Sequence, residues 1–443
     1  MYSQIFRERR SWSASGLWGA PSEQPTLSTQ PGAPHESEAS LKRTSRAIFL
    51  SYFVWSTGTG AQGLARPLFA FLVSGQVFFA PLLASTNALA RMVAGPITGY
   101  MSDRTGRKPM VMIGTALRAG SSIAEIFVSS FVPFAILEFI GQLGVSMWVT
   151  SSSILIADVS SPTNRGRVVA TRTTAQRLGM VFGPLVAGAL ATIDLRYVFA
   201  FNGITKAITL IMVTILVAET QPESARTRTR APGASRGIDM TFLRSRAFFA
   251  LAVATFGLSM MVQGVFMSLF PVHLKDVIGV SEGQIGLSVT LAGVLSLAVA
   301  LPNGVLVDRY GRKKTLVPGL FLLGLVGLGL ANAGTFGLLL LVVALYGVSE
   351  GLVMGSSQAY AMDLAPEDRR GEFLGVWAVF ENAGALVAPL LIGGIYAWVG
   401  PGPAFSTAAG WLVISGVLMA ALGPETGGRN VRRRAREVGS PRP

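Results

Sequence analysis

Two copies of one loop rich in glycine, arginine and aspartate lie 205 residues apart in this 443-residue chain. The first reads Gly99-x-x-x-Asp103-Arg104-x-Gly106-Arg107-Lys108, and the second reads Gly304-x-x-x-Asp308-Arg309-x-Gly311-Arg312-Lys313. The same offset carries Asp158 onto Asp363, Arg165 onto Arg370, Gly179 onto Gly384, Pro184 onto Pro389 and Gly188 onto Gly393. Self-similarity at a fixed offset is typical of a duplicated architecture. We therefore expect two halves with the same fold.

Each half is dominated by long apolar runs. Apolar residues make up 50% of the chain and charged residues only 14%, against roughly 25% in soluble domains. About 12 runs are long enough to cross a hydrocarbon core of about 30 Å as helices. The sequence thus predicts an all-α integral membrane protein of 12 transmembrane helices in two six-helix pseudo-symmetric bundles. The predicted spans lie near residues 48–72, 77–101, 109–131, 132–157, 167–192, 197–218, 246–272, 283–307, 315–332, 335–362, 372–399 and 403–422.

The net charge of +14 is explained by its distribution. Of the 37 Lys and Arg residues, 29 fall in alternate loops and in both tails, whereas two fall in the intervening loops. This asymmetry indicates membrane topology, with both termini cytoplasmic, and not a nucleic-acid partner. The basic C-terminal tail is expected to be solvated or to contact anionic lipid.

Composition shifts divide the chain into five segments. We expect a disordered cytoplasmic tail at 1–45, a bundle at 46–218, a cytoplasmic linker at 219–245, a second bundle at 246–422 and a basic tail at 423–443. Two halves of six spans face the membrane alike, and such repeats hold substrate at mid-depth between them.

The chain is poor in the residues that enzymes and pumps need. It has no cysteine and two histidines, His35 and His273, so neither thiolate metal ligation, a His-based metal cluster nor a Ser-His arrangement is available. No Gly-Lys-Ser phosphate loop is present in the sequence, which argues against ATP drive. We expect no enzyme activity, no metal and no cofactor.

The duplicated loops, each following a span, resemble the signature of the major facilitator superfamily, over residues 46–422. The resemblance implies that Asp103 and Asp308 face helix starts of the opposite half, near Gly371 and Gly166, and latch the cytoplasmic side shut. The alternative for the basic side chains is anchorage to lipid. The turn at Pro162-Thr163 departs from the family pattern because it lacks the acid of Pro366-Glu367. The predicted latch comprises Gly99, Asp103, Arg104, Gly106, Arg107, Lys108, Asp158, Arg165, Gly304, Asp308, Arg309, Gly311, Arg312, Lys313, Asp363 and Arg370.

Burial of a charged side chain inside the membrane costs free energy, so each such residue is a candidate functional residue. Arg91, Glu350 and Glu381 lie near the midplane, by distance from the loops. Glu350 is the predicted proton acceptor; the alternative is a carboxylate paired structurally with an arginine or hydrogen-bonded within its own bundle. Arg91 and Glu381 are predicted to form an ion pair between the halves. Further embedded charges are Arg177 and Lys206 at similar depth and Arg66, Glu125 and Glu138 toward the outer face.

By resemblance, spans one, four, seven and ten line the central cavity. The cavity candidates are Tyr52, Trp55, Gln62, Arg66, Gln142, Ser146, Gln263, Phe266 and Tyr346, for which packing is the alternative. Small faces on spans five and eleven predict close packing and a bend, and the first resembles a drug–proton antiport motif. These faces comprise Gly179, Gly183, Pro184, Gly188, Gly384, Pro389 and Gly393.

Together these patterns predict a secondary transporter of the plasma membrane that works by alternating access, with proton-coupled efflux of amphipathic or drug-like compounds. Uptake of a small metabolite by a proton symporter or facilitator is the alternative, and a non-transporting membrane sensor or scaffold is another. The expected partners are a small-molecule substrate, protons and membrane lipid, with no nucleic acid, and the expected state is a monomer.

Overall fold

Long helices dominate the computed structural model, which describes residues 38–160, 165–216, 244–366 and 369–426. Residues 1–37, 161–164, 217–243, 367–368 and 427–443 lie outside the described residues, and with them most of the predicted linker 219–245 and of the predicted tails 1–45 and 423–443. Within the described ranges, twelve helices follow one another: α1 Glu38–Ser74, α2 Phe79–Thr105, α3 Arg107–Glu125, α4 Phe131–Val159, α5 Arg165–Ala191, α6 Arg196–Leu216, α7 Arg246–Ile278, α8 Glu282–Tyr310, α9 Arg312–Asn332, α10 Phe336–Leu364, α11 Arg370–Trp398 and α12 Pro401–Leu422.

The predicted spans and the helices agree in number and order. Eight of the described helices, α4 and α6 to α12, are long and apolar enough to cross a membrane by themselves. Helices α3 and α5 each carry four charged residues, which lowers their hydropathy. Helix α3 ends at Glu125, six residues before the predicted boundary, because the chain turns there to begin α4.

Glycines of the duplicated small faces pack against the first helix of their own half. A Cβ on Gly179 of α5 would lie 2.7 Å from the Phe53 carbonyl oxygen of α1. A Cβ on Gly384 of α11 would lie 2.7 Å from Ser259 Oγ of α7. Contacts this short need a residue without a side chain. The two halves therefore repeat the same internal packing.

The last glycine of each face packs across the halves instead. A Cβ on Gly188 of α5 would lie 3.0 Å from Gly286 Cα of α8, and a Cβ on Gly286 would lie 2.5 Å from the Pro184 carbonyl oxygen. In the other copy, Gly393 of α11 meets the ring of Pro81 of α2. We call the end of the molecule where these two contacts lie the closed end.

At the other end of the molecule, which carries the Gly106 and Gly311 loops, the same helices are more exposed. Between residues 282 and 296 of α8 only Leu287 and Val294 are exposed, whereas between 301 and 310 only Asn303 and Val307 are buried. A Cβ on a glycine at this end, whether Gly99, Gly166, Gly304 or Gly371, would meet nothing within 4 Å among the described residues. The halves thus enclose a cleft that is open at this basic-loop end.

Candidate functional site

The two duplicated loops share one backbone conformation. Gly106 has φ 104° between α2 and α3, and Gly311 has φ 111° between α8 and α9. These angles lie in the region that residues with a Cβ rarely adopt. Glycine at both positions therefore allows each helix to follow the previous one after a single-residue turn.

Arg312 connects three helix ends in the second loop. Its Nη1 lies 2.9 Å from Asp308 Oδ1 at the end of α8, and its Nε lies 3.1 Å from Asp363 Oδ2 at the end of α10. The Glu425 carboxylate accepts a 3.0 Å hydrogen bond from the Lys313 backbone N–H. That contact places a negative charge at the positive N-terminal end of α9. Four of these residues belong to the C-terminal bundle, and Glu425 follows directly after its last helix.

In the first loop two hydrogen bonds join residues of the N-terminal half. Arg107 Nη1 donates a 3.0 Å hydrogen bond to the Ser102 carbonyl oxygen, and Lys108 Nζ donates one of 2.9 Å to the Thr214 carbonyl oxygen. The side chains of Asp103 and Asp158 lie outside the described residues. Other basic side chains of the predicted set lie as follows: Arg104 over the Tyr100 ring at 4.3 Å, Arg309 over the Tyr310 ring at 5.5 Å, and Arg165 3.4 Å from the Ala157 carbonyl oxygen.

The predicted contact between Asp308 and the start of α5 is not formed in this structure. Asp308 is 64% exposed and bonded to Arg312 of its own half, and the space around Gly166 is open among the described residues. A latch that closes the basic-loop end cannot be engaged while that end is open. Its role in the closed state stays a prediction.

Glu350 of α10 lies between the two halves. It interacts with Ser296 of α8 in its own half and with the charge of Arg177, on α5 of the other half. One turn earlier on α10, the Tyr346 ring stacks on the Phe266 ring of α7 with centroids 3.8 Å apart. Phe266 lies in a stretch of wide π-helical turns, Met260–Leu269, a geometry that is frequent at functional sites.

The other two predicted coupling residues are not joined to each other. Among the described residues, no ion pair links Arg91 to Glu381. Arg91 of α2 instead interacts electrostatically with Arg66 and Glu138 of its own half, and Glu381 of α11 is exposed. Their pairing stays a prediction for another state of the transport cycle.

Most cavity candidates are packed between helices of one half. Trp55 stacks on Trp148 with ring centroids 4.0 Å apart, and the Tyr52 hydroxyl donates a 2.8 Å hydrogen bond to Ser152 Oγ. Gln263 and Arg66 are partly exposed. The buried candidates are Tyr52, Trp55, Gln62, Gln142, Ser146, Phe266 and Tyr346. Contact of any of them with substrate stays a prediction.

A buried polar network in the N-terminal half brings together charged residues of α1, α3 and α4 that the sequence patterns do not link. Glu138 Oε1 of α4 accepts hydrogen bonds from Gln62 Nε2 at 2.6 Å, from Arg66 Nε at 3.0 Å and from Arg118 Nη2 at 3.2 Å. Arg118, Glu125 and Glu138 are at most 1% exposed. We call Gln62, Arg66, Arg118, Glu125, Glu138 and Asn202 the N-half cluster.

One face of α1 supplies the contacts to this cluster and to a second buried cation. Trp55, Thr59, Gln62 and Arg66 recur at spacings of three and four residues, which places them on one side of a helix. Lys206 Nζ of α6 donates to the Trp55 carbonyl oxygen and to Thr59 Oγ1 at 2.9 Å, and it lies 4.2 Å above the Trp55 ring.

Comparison with known proteins decides the family. The sequence profile of the Major Facilitator Superfamily matches residues 48–265 and again residues 251–442. The chain belongs to the Major Facilitator Superfamily. The two matches correspond to the two halves that the 205-residue offset predicted, and the protein is a multi-pass membrane transporter and not an enzyme.

Several characterised relatives of this transporter are drug-resistance proteins. It is 25% identical over 325 residues to the tetracycline resistance protein, class C, of Escherichia coli, covering 71% of this chain and 79% of that one. It is 22% identical over 319 residues to the quinolone resistance protein NorA of Staphylococcus aureus, covering 71% and 80%.

Solved structures support the fold of the transporter. A D-xylose–proton symporter superposes with a TM-score of 0.70 at 18% identity, covering 88% of this chain and 99% of that one. A peptide-transporter-family (POT) protein in complex with 5-aminolevulinic acid gives a TM-score of 0.71 at 12% identity, covering 86% and 96%. At these identities the likeness shows the twelve-helix fold alone.

Proposed function

We propose that this transporter exports amphipathic, drug-like compounds in exchange for protons. The observation that carries the proposal is the carboxylate of Glu350, which lies between the halves, next to the Tyr346–Phe266 aromatic stack and under the influence of Arg177 across the cleft. An embedded carboxylate can bind either a proton or a cationic group of a substrate. Aromatic rings beside it suit the apolar part of an amphipathic compound.

The open cleft gives the direction from which cargo enters. The basic-loop end carries the excess of Lys and Arg that marks a cytoplasmic surface, so we place that end and both termini in the cytoplasm. The structure then corresponds to an inward-facing state, in which an exporter loads its cargo. Two resistance proteins among the relatives support export of this class of compound.

In this scheme one cycle exchanges cargo for a proton at the cleft. A neutral Glu350 gives its proton to the cytoplasm, and the carboxylate then holds cargo. The halves rock, the closed end opens, and a proton from outside displaces the cargo. The basic-loop end is now shut, and Asp103 and Asp308 hold it by contact with the opposite helix starts.

A resistance screen in cells without native exporters tests the proposal. Wild-type protein is expected to raise resistance to several amphipathic compounds, tetracyclines and quinolones included, and Glu350→Gln is expected to remove that resistance at equal membrane expression. Gln keeps the shape of the neutral acid but cannot release a proton. Glu350→Asp is the matched control, because it keeps a titratable group one methylene shorter.

Inverted membrane vesicles with an acidic lumen separate export from uptake. An antiporter releases lumenal protons when cargo is added outside, so a lumenal pH dye reports alkalinisation. A symporter moves cargo and protons in the same direction and gives no such release on addition outside. Absence of any effect of the wild-type protein on every compound tested would overturn the proposal.

A further inference from the structure

We infer that Glu125 of the N-half cluster is a proton-binding group of this transporter, with Glu138 as its fixed counter-charge. The inference rests on the proposed proton coupling and adds a site in the half opposite to Glu350. It is carried by three features of the cluster: unequal hydrogen bonding of the two carboxylates, a shared donor, and a buried oxygen without a hydrogen-bond partner.

The two carboxylates both contact Gln62 and Arg118, but only Glu138 receives hydrogen bonds from arginine. Gln62 Nε2 donates to Glu125 Oε2 at 2.8 Å and to Glu138 Oε1 at 2.6 Å. Glu138 receives further hydrogen bonds from Arg66 on Oε1 and from Arg118 on both oxygens, the Arg118 Nη1 to Oε2 distance being 3.4 Å. Glu138 is thus satisfied as an ionised carboxylate.

Glu125 is buried without that support. The residue is 0% exposed, and its Oε1 has no hydrogen-bond partner among the described residues. Its Oε1 lies 3.7 Å from Arg118 Nη2, and that same nitrogen lies 3.2 Å from Glu138 Oε1. A carboxylate oxygen buried without a donor is costly, whereas a protonated oxygen carries its own donor.

Asn202 of the N-half cluster carries a second buried acceptor without a donor in the part of the chain that the structure describes. Asn202 of α6 donates to Gln62 Oε1 and to Ser122 Oγ, the latter at 2.7 Å, while its own Oδ1 has no partner among the described residues. The cluster therefore contains two buried oxygens, on Glu125 and Asn202, that lack a donor. A proton bound by Glu125 supplies a donor to a cluster that is short of donors.

The charges around Glu125 come from five helices. Arg66 on α1, Arg118 on α3 and Glu138 on α4 act on Glu125 itself. Arg91 on α2 and Lys206 on α6 interact with other members of the cluster. Two ionised carboxylates on one amide repel each other, and a shared Arg118 attracts whichever is ionised. A small movement of Arg118 toward Glu125 favours its ionised form, and a movement away favours proton uptake, so the proton affinity depends on conformation.

Infrared difference spectroscopy on the purified protein, without any substrate, tests this site directly. Acidification of the wild-type protein is expected to produce a carboxylic C=O band that is absent from Glu125→Gln and retained in Glu350→Gln. Gln is isosteric with the protonated acid, so Glu125→Gln is expected to fold. Glu125→Asp keeps a titratable carboxyl and is expected to shift the band in position and in pH midpoint.

Proteoliposomes give the transport readout. With Glu125→Gln, accumulation driven by a pH gradient is expected to fall to the level of empty liposomes, while substrate–substrate exchange at equal pH continues. A merely structural role would reduce both. A band that persists unchanged in Glu125→Gln, or that does not respond to Glu125→Asp, overturns the site even where transport is proton-coupled. If the band behaves as expected but the wild-type protein transports no compound, the proposed export fails and the proton site stands.

Discussion

A disulfide between cysteines introduced as Thr192→Cys and Gly283→Cys is expected to stop transport, and reduction is expected to restore it. A Cβ on Gly283 of α8 would lie 3.5 Å from Thr192 Cγ2, just beyond the end of α5, which is within the reach of a disulfide. The bond would tie the two halves together at the closed end. Since that end must open for release outside, the locked protein cannot complete a cycle.

The chain is well suited to this experiment because it contains no cysteine. Each single-cysteine variant serves as a control and is expected to transport under oxidising conditions. A second control is the pair Gly324→Cys and Val413→Cys, where a Cβ on Gly324 would lie 3.0 Å from Val413 Cγ2 within the C-terminal half. Transport that continues through the oxidised inter-half pair, with cross-linking verified by mass, would contradict an opening of the closed end.

Replacement of Arg118 by Ala is expected to cause the largest loss of stability among single changes in the N-half cluster. The guanidinium contacts both Glu125 and Glu138 and is 1% exposed. Its removal leaves two buried carboxylates with less compensation, a change that costs about 3–5 kcal/mol. Gly141 of α4 makes room for this side chain, since a Cβ there would collide with Arg118 Nη1.

Lys275→Ala is the matched control, because it also removes one partner of an ion pair. Lys275 Nζ lies 2.7 Å from Glu282 Oε1, but the side chains are 43% and 20% exposed, so about 1 kcal/mol or less is expected. The apparent melting temperature of the purified protein, followed by the fluorescence of its seven tryptophans, measures both. Equal losses in the two variants would show that the buried cluster is not a tightly coupled network.

The architecture could be predicted from the sequence because similar motifs recur at one constant offset, which indicates two halves with the same fold. The offset that joins Asp103 to Asp308 also joins Gly179 to Gly384, and both glycines pack against the first helix of their own half. Apolar runs gave the order and number of the helices, and the family match confirms the two halves. The end of α3 was misplaced because Glu125 and the turn after it lie in a run that remains largely apolar.

The N-half cluster could not be assembled from the sequence in the same way. Gln62 and Glu138 are 76 residues apart in the chain. Periodicity within one helix shows that the helix has a polar face, but it does not show which neighbouring helix packs against that face. The sequence feature that could have linked these residues is their predicted depth in the membrane, because Arg66, Glu125 and Glu138 all lie toward its outer face. Arg118 is missing from the predicted embedded charges although it lies inside the predicted span 109–131, so its depth in that span is the signal that could have found it.

Distances measured at both ends of the molecule by electron spin resonance test the rocking of the two halves most directly. Spin labels on introduced cysteines at Val169 and Val305, both exposed at the basic-loop end, report the opening of the cleft, and labels at Thr192 and Gly283 report the closed end. On addition of an exported compound and on change of pH, we expect the first distance to shorten whenever the second lengthens. Distances that change in the same direction at both ends, or at neither end during active transport, would contradict alternating access by these two bundles.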